Sequence, residues 1–173
     1  LSQLDFGFDR IQILGISGNL ARGDFLLKYE GANIYGASFL KANLVDLPGL
    51  KKNQNVLGLG FDYSGINNLT IGYEGNLRII NNYSDDLTIA KQTLGHSVQF
   101  RWTGLNDLLS INANLSRLTG EKSIIGSLAT SYKPRDGLTI NARYVQYDAL
   151  ETTDTLYPYQ KQDVIILSTE YSF

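Results

Sequence analysis

Residues 162–173 read "QDVIILSTEYSF", and the stretch ends on an aromatic ring. Ile165, Leu167, Thr169, Tyr171 and Phe173 fall on one parity; Val164, Ile166, Ser168, Glu170 and Ser172 fall on the other. That is a strand of period two carried to the last residue. The closing residues of soluble domains usually fray in polar sequence. Here the run requires apolar surroundings for a terminal ring.

The same alternation recurs along the chain. It predicts strands at about Leu4–Leu14, Asp24–Tyr35, Asn55–Ser64, Asn68–Ile80, Thr93–Thr103, Asp107–Leu118, Ser123–Lys133, Gly137–Tyr147 and Gln162–Phe173. Most exceed the usual five or six residues of a soluble strand. The stretch "DLLSINANLSRL" (107–118) also fits a helix through Leu108, Leu109, Ile111 and Leu115, but its serines and asparagines favour a strand. Pro48, Pro134 and Pro158 are expected in connections, where a missing N–H does no harm to a sheet. No linker or domain boundary shows, so 1–173 reads as one barrel domain or barrel segment.

Composition removes whole classes of function. With no cysteine among 173 residues there are no disulfides, thiolate metal sites or cysteine nucleophiles. A net charge of -2 gives no electrostatic basis for binding nucleic acid. No apolar run reaches the roughly 18–20 residues of a membrane helix. No signal peptide is visible and the first residue is Leu1, so the chain reads as a mature or cut product.

The two parities differ in chemistry. "NLTIGYEGNLRII" (68–80) splits into Leu69, Ile71, Tyr73, Leu77 and Ile79 against Thr70, Glu74, Asn76 and Arg78. "GHSVQFRW" (95–102) splits into His96, Val98, Phe100 and Trp102 against Ser97, Gln99 and Arg101. "GLTINARY" (137–144) gives Leu138, Ile140, Ala142 and Tyr144 against Thr139, Asn141 and Arg143. A soluble sandwich or lipocalin-like barrel has this alternation too; strand length and aromatic placement separate the cases. About eleven residues at about 3.3 Å each, tilted by about 45°, cross the apolar band of a bilayer. The apolar parity ends in Tyr63, Trp102, Tyr132 and Tyr171 on alternate strands, which places four rings at one edge as an interfacial belt. The links after those rings are short, whereas Gly36–Gln54, Asn81–Gln92 and Asp148–Lys161 are long, an asymmetry of outer-membrane barrels.

The predicted fold is therefore all-β: an antiparallel up-and-down transmembrane β-barrel with about nine strands in view. Its polar parity supplies candidate pore-lining residues Glu74, Arg78, Gln99, Arg101, Asn112, Asn141 and Arg143. Lys28, Glu30, Asp62, Asn114 and Glu170 share that parity, and the signs look evenly mixed along the sequence.

The terminal "VIILSTEYSF" resembles the C-terminal signal strand of Gram-negative outer-membrane β-barrels, with Ile165, Leu167, Tyr171 and Phe173 matching its pattern and Thr169 departing from it. Phrases such as "FDRIQILG", "GDFLLKYEGA" and "VLGLGFDYSG" loosely resemble the C-terminal halves of porin-like barrels of the alginate-export kind. The resemblance implies an outer-membrane location in a Gram-negative bacterium, contact with lipid and lipopolysaccharide, and recognition by the barrel-assembly machinery. It implies a porin-like channel for small hydrophilic solutes; a barrel that anchors or sleeves a partner protein is the alternative. Members of this group have even strand numbers with both termini periplasmic. Nine strands place Leu1 outside, so the chain is expected to be the C-terminal portion of a larger even-stranded barrel whose remainder lies upstream of Leu1.

No catalytic, cofactor or metal set emerges, and the reading is not that of an enzyme. His96 and Ser97 are adjacent and point to opposite faces, so they cannot act as a nucleophile and its base. Asp85 and Asp86 in "NNYSDDLTIAKQ" read as a solvated loop.

Phe173→Ser is expected to insert into the outer membrane less efficiently than the natural chain, while barrel already assembled keeps most of its stability. Equal insertion of the two proteins in an assembly assay would contradict the signal reading.

Overall fold

The computed structural model describes residues 10–41, 50–117, 122–154 and 156–172. Nine strands form one antiparallel sheet in sequence order: β1 Gln12–Arg22, β2 Phe25–Phe39, β3 Leu50–Ile66, β4 Leu69–Ile80, β5 Gln92–Gly104, β6 Leu109–Arg117, β7 Ile124–Arg135, β8 Leu138–Asp148 and β9 Val164–Tyr171. Each strand pairs only with its sequence neighbours, and β1 and β9 do not pair with each other, so the sheet is open. Apart from one 3₁₀ turn at Tyr157–Tyr159, the described residues form no helix, and none is long and apolar enough to cross a membrane.

Several sequence expectations need correction. β1 covers Gln12–Arg22, so the stretch "GISGNLARG", expected as a link, lies mostly within a strand, while Leu4–Asp9 of the expected first strand lie outside the described residues. Gly15 and Gly18, between the first two expected strands, both sit in the β1–β2 ladder opposite Ala32 and Tyr29. The Tyr29 ring covers Gly18, and a Cβ there would push it aside. β3 starts at Leu50, well before the expected Asn55, because Leu50, Lys51 and Lys52 pair onward with Phe39, Ser38 and Ala37. Pro134 lies inside β7, at the register shift between Tyr132 and Arg135, where a bulge tolerates the lost N–H. Pro158 sits in the 3₁₀ turn; Pro48, Leu118 and Phe173 lie outside the described residues. The ambiguous 107–118 stretch is a strand from Leu109 to Arg117.

The two sheet edges differ. At one, the turns are Gly23–Asp24, Asn67–Asn68, Leu105–Leu108 and Asp136–Gly137. Asn68 (φ 62°) and Gly137 (φ 78°) take the left-handed conformation that such tight reversals need. Each turn also passes a carbonyl to the following strand: Ser64 N–H donates to Asp24 O at 2.9 Å, Thr103 to Asn68 at 2.9 Å, Lys133 to Leu108 at 2.8 Å and Ser172 to Gly137 at 2.8 Å. At the other edge the connections run 40–49, 81–91, 118–123 and 149–163.

What is buried lies almost wholly at that second edge. Phe39, Ile80 and Leu87 form a small cluster with Ala37, Leu50, Tyr83 and Ile89 around it. The ladder puts Phe39 and Ile80 on the same face as Gln54, the polar face, so loop 81–91 folds inward to lay Leu87 on them. An isolated bridge between Lys41 and Leu87, and the Tyr83 hydroxyl donating to Ile89 O at 3.0 Å, hold it there. Loop 149–163 behaves likewise: Val145 on the polar face is buried, and the Tyr147 and Tyr159 rings approach to 6.1 Å. The apolar face receives no such cover among the described residues.

Candidate functional site

Antiparallel partners share a face, so the register identifies each face without ambiguity. On the polar face, Glu74 and Arg78 come from β4, Gln99 and Arg101 from β5, Asn112 from β6, and Asn141 and Arg143 from β8. All seven candidate lining residues are on one side of one sheet. They do not converge on a point; they form a wall.

Three glycines shape its first half. Gly60 lies between Lys28 on β2 and Glu74 on β4 in one row of the ladder. With no side chain in the way, Lys28 Nζ reaches across β3 to Glu74 Oε1 at 3.1 Å and to Asp62 Oδ2 at 2.9 Å. Gly58 gives Glu30 room, and the Asp62 and Gln99 side chains meet over Gly72. Arg78 donates from Nε to the Thr93 hydroxyl at 3.2 Å. Lys28 and Asp62 therefore anchor a charged network on this wall. Strand parity alone points to both.

The second half is different. Arg101, Asn112, Ala129 and Arg143 occupy a single row across β5, β6, β7 and β8. Arg101 Nε donates to Asn112 Oδ1 at 3.2 Å. Gln99 faces Asn114, which faces Ser127; Ser131 faces Asn141, which faces Ser168. Shallow hollows open on this face, one around Gln99, Arg101, Asn114 and Arg143 and another around Asn112, Asn141 and Arg143.

The apolar face is bare. Leu14, Ile16, Leu59, Ile165 and Leu167 are each 70% or more exposed, and Leu57, Leu94, Val98, Phe100, Leu115, Leu128 and Ile140 are exposed between them. His96 lies on this face opposite Gly75 and Arg117, away from Ser97. In loop 81–91 the Ser84 hydroxyl donates to Asp86 and holds that carboxyl below its ordinary pKa.

The four belt residues end the apolar face, and the register gives their line a definite slope. Tyr63 faces Ile71, which faces Phe100; Trp102 is two residues further toward the turn edge. Trp102 faces Ile111, which faces Thr130; Tyr132 is again two further on. Tyr132 faces Ile140, which faces Thr169; Tyr171 is two further once more. Three equal steps give one residue of stagger per strand. With a rise of ~3.3 Å and a strand spacing of ~4.7 Å, the strands lean by ~35° from the perpendicular to the line of rings. The Trp102 ring lies over Gly104 and the Tyr63 ring over Gly65, both toward the turn edge. Phe25 adds a fifth ring opposite Tyr63, with centroids 4.8 Å apart. Of the terminal signal set, Ile165, Leu167 and Tyr171 share this face, and Phe173 is outside the described residues.

No family model, curated protein or solved structure matches this chain.

Lys28→Met should lower stability by about 1 kcal/mol, since it leaves two carboxylates facing each other in a networked but partly wet site. In a background carrying Asp62→Asn and Glu74→Gln the same change should cost nearly nothing. Urea unfolding of the four proteins checks this, and an equal cost in both backgrounds would contradict it.

Proposed function

We propose that this sheet is part of the wall of an outer-membrane β-barrel in a Gram-negative bacterium, and that its polar face lines an aqueous channel for passive diffusion of small hydrophilic solutes. The observation that carries the reading is the bare apolar face bounded by an oblique aromatic line. Leaving a Leu or Ile side chain in water forgoes about 1.5–3 kcal/mol relative to burying it. A face of this kind across nine strands needs an apolar medium, and lipid is one that needs no partner layer. The lean of ~35° lies in the range of about 35–45° found for strands of membrane barrels, so a belt parallel to a membrane surface gives the strands their usual inclination. The short turns then face the periplasm, and the long loops fold over the outer mouth.

β1 and β9 run in the same direction, because each step along the sheet reverses the strand. Antiparallel closure therefore takes an odd number of further strands, which we assign to the remainder of the polypeptide. On that reading the assembly machinery and outer-membrane lipid, including lipopolysaccharide, are the partners.

A second reading has its own support. At the long-loop end of β1–β3 the polar face turns apolar, with Ile13, Ala32, Ile34 and Val56 side by side. A wholly water-filled lumen gives no reason for that patch. A plug or partner protein held inside a sleeve does.

Conductance separates the two. The complete polypeptide, purified and inserted in a planar bilayer, should pass current in discrete steps. A folded, inserted barrel that passes none would replace the channel with the sleeve.

A further inference from the structure

The register separates charges that look mixed in the sequence. Within the ladders of β2–β4 the polar face carries Lys28, Lys52 and Arg78 beside Glu30, Asp62 and Glu74, with Lys28 neutralised by two of the acids. Within the ladders of β5–β8 it carries Arg101 and Arg143 and no carboxylate. Asp148 belongs to these strands but sits opposite Ile124 on the other face. Glu170, on the polar face of β9, stands opposite Thr139, four residues down β8 from Arg143. Asp62, the nearest acid on the other flank, is held by Lys28.

The two arginines are also available. Arg101 gives one donor to Asn112, and Arg143 has no hydrogen-bond or ion-pair partner among the described residues. An unpartnered guanidinium in a row of amides is a poor structural prop, since it holds nothing together. Its planar fork of N–H donors suits a carboxylate. Gln99, Asn112, Asn114 and Asn141 around the two forks offer both donors and acceptors, which suit hydroxyl groups. Arg101 and Arg143 stand three strand spacings apart in their row, about 14 Å at the backbone. One anion therefore meets them in turn.

We infer that the β5–β8 half of the polar face is a binding track for small hydroxylated carboxylates, with Arg101 and Arg143 as successive anion sites. This rests on the reading of the polar face as solvent-lined. The β2–β4 half balances its acids with bases and offers such solutes no net attraction, so the arginines give the passage a preferred side. Mixed composition predicts little selectivity; spatial separation predicts preference for anions.

Two measurements on the complete polypeptide test it, with lactate as the probe. In planar bilayers under a potassium lactate gradient, the reversal potential should report lactate permeability above that of potassium, and Arg101→Glu with Arg143→Glu should invert the preference. In detergent-folded protein, the side-chain Nε–Hε resonances of Arg101 and Arg143 should shift saturably with lactate and stay fixed with glycerol. Arg143→Gln should weaken the affinity about ten-fold, the loss expected for a charge-assisted hydrogen bond. Steps of current without anion preference, with arginine resonances that ignore lactate, would overturn the track and leave the channel standing. Absence of current with saturable arginine shifts would retain the binding site and remove the channel.

Discussion

A strand alternates its side chains with a period of two, and no sequence can relax that. Once Leu57, Leu59, Val98, Phe100, Ile140 and Leu167 are placed on one side of a sheet, they stay together whatever the loops do. Among the described residues no second layer covers them. The small apolar cluster that does form, Phe39 with Ile80 and Leu87, sits on the other face at the long-loop end. The fold thus buries its loops against the polar side and leaves the greasy side free. In water that arrangement forgoes most of the hydrophobic stabilisation the sequence offers. In a bilayer it loses nothing, and the ladder hydrogen bonds satisfy the backbone across the apolar band.

The faces were legible in the sequence because they depend on parity alone. So were the places of Tyr63, Trp102 and Tyr132 shortly before compact turns, and with them the asymmetry of the connections. Strand limits were less legible. Gly15 and Gly18 look like breakers, and only the ladder shows that Tyr29 from the next strand fills the space over Gly18. Pro134 looks like a turn residue until the bulge that accommodates it is seen. Register is a property of pairs of strands, so nothing in a single strand reveals it. For that reason the stagger of one residue per strand, the Lys28–Glu74 contact across Gly60 and the segregation of charge were beyond the reach of composition.

Glycine has an unexpected share in the chemistry of the wall. Gly58, Gly60 and Gly72 leave gaps into which Glu30, Glu74, Asp62 and Gln99 lean, so charged groups meet across an intervening strand instead of standing apart in water. The β5–β8 half has Ala129 at the comparable place between Asn112 and Arg143, and Arg143 has no partner among the described residues. One half of the wall is organised to satisfy its own charges, and the other is organised to offer them.

The claim on which everything else depends is that the apolar face meets lipid and the polar face meets water. The chain has no cysteine, so single cysteines carrying a nitroxide label can be placed at will along β5, from Ser97 to Thr103. In the complete protein reconstituted in bilayers, accessibility to oxygen should peak at positions 98, 100 and 102, and accessibility to a water-soluble nickel chelate should peak at 97, 99, 101 and 103. An alternation with the opposite phase, or labels at 98, 100 and 102 shielded from both reagents, would show those side chains packed against protein and would contradict the account.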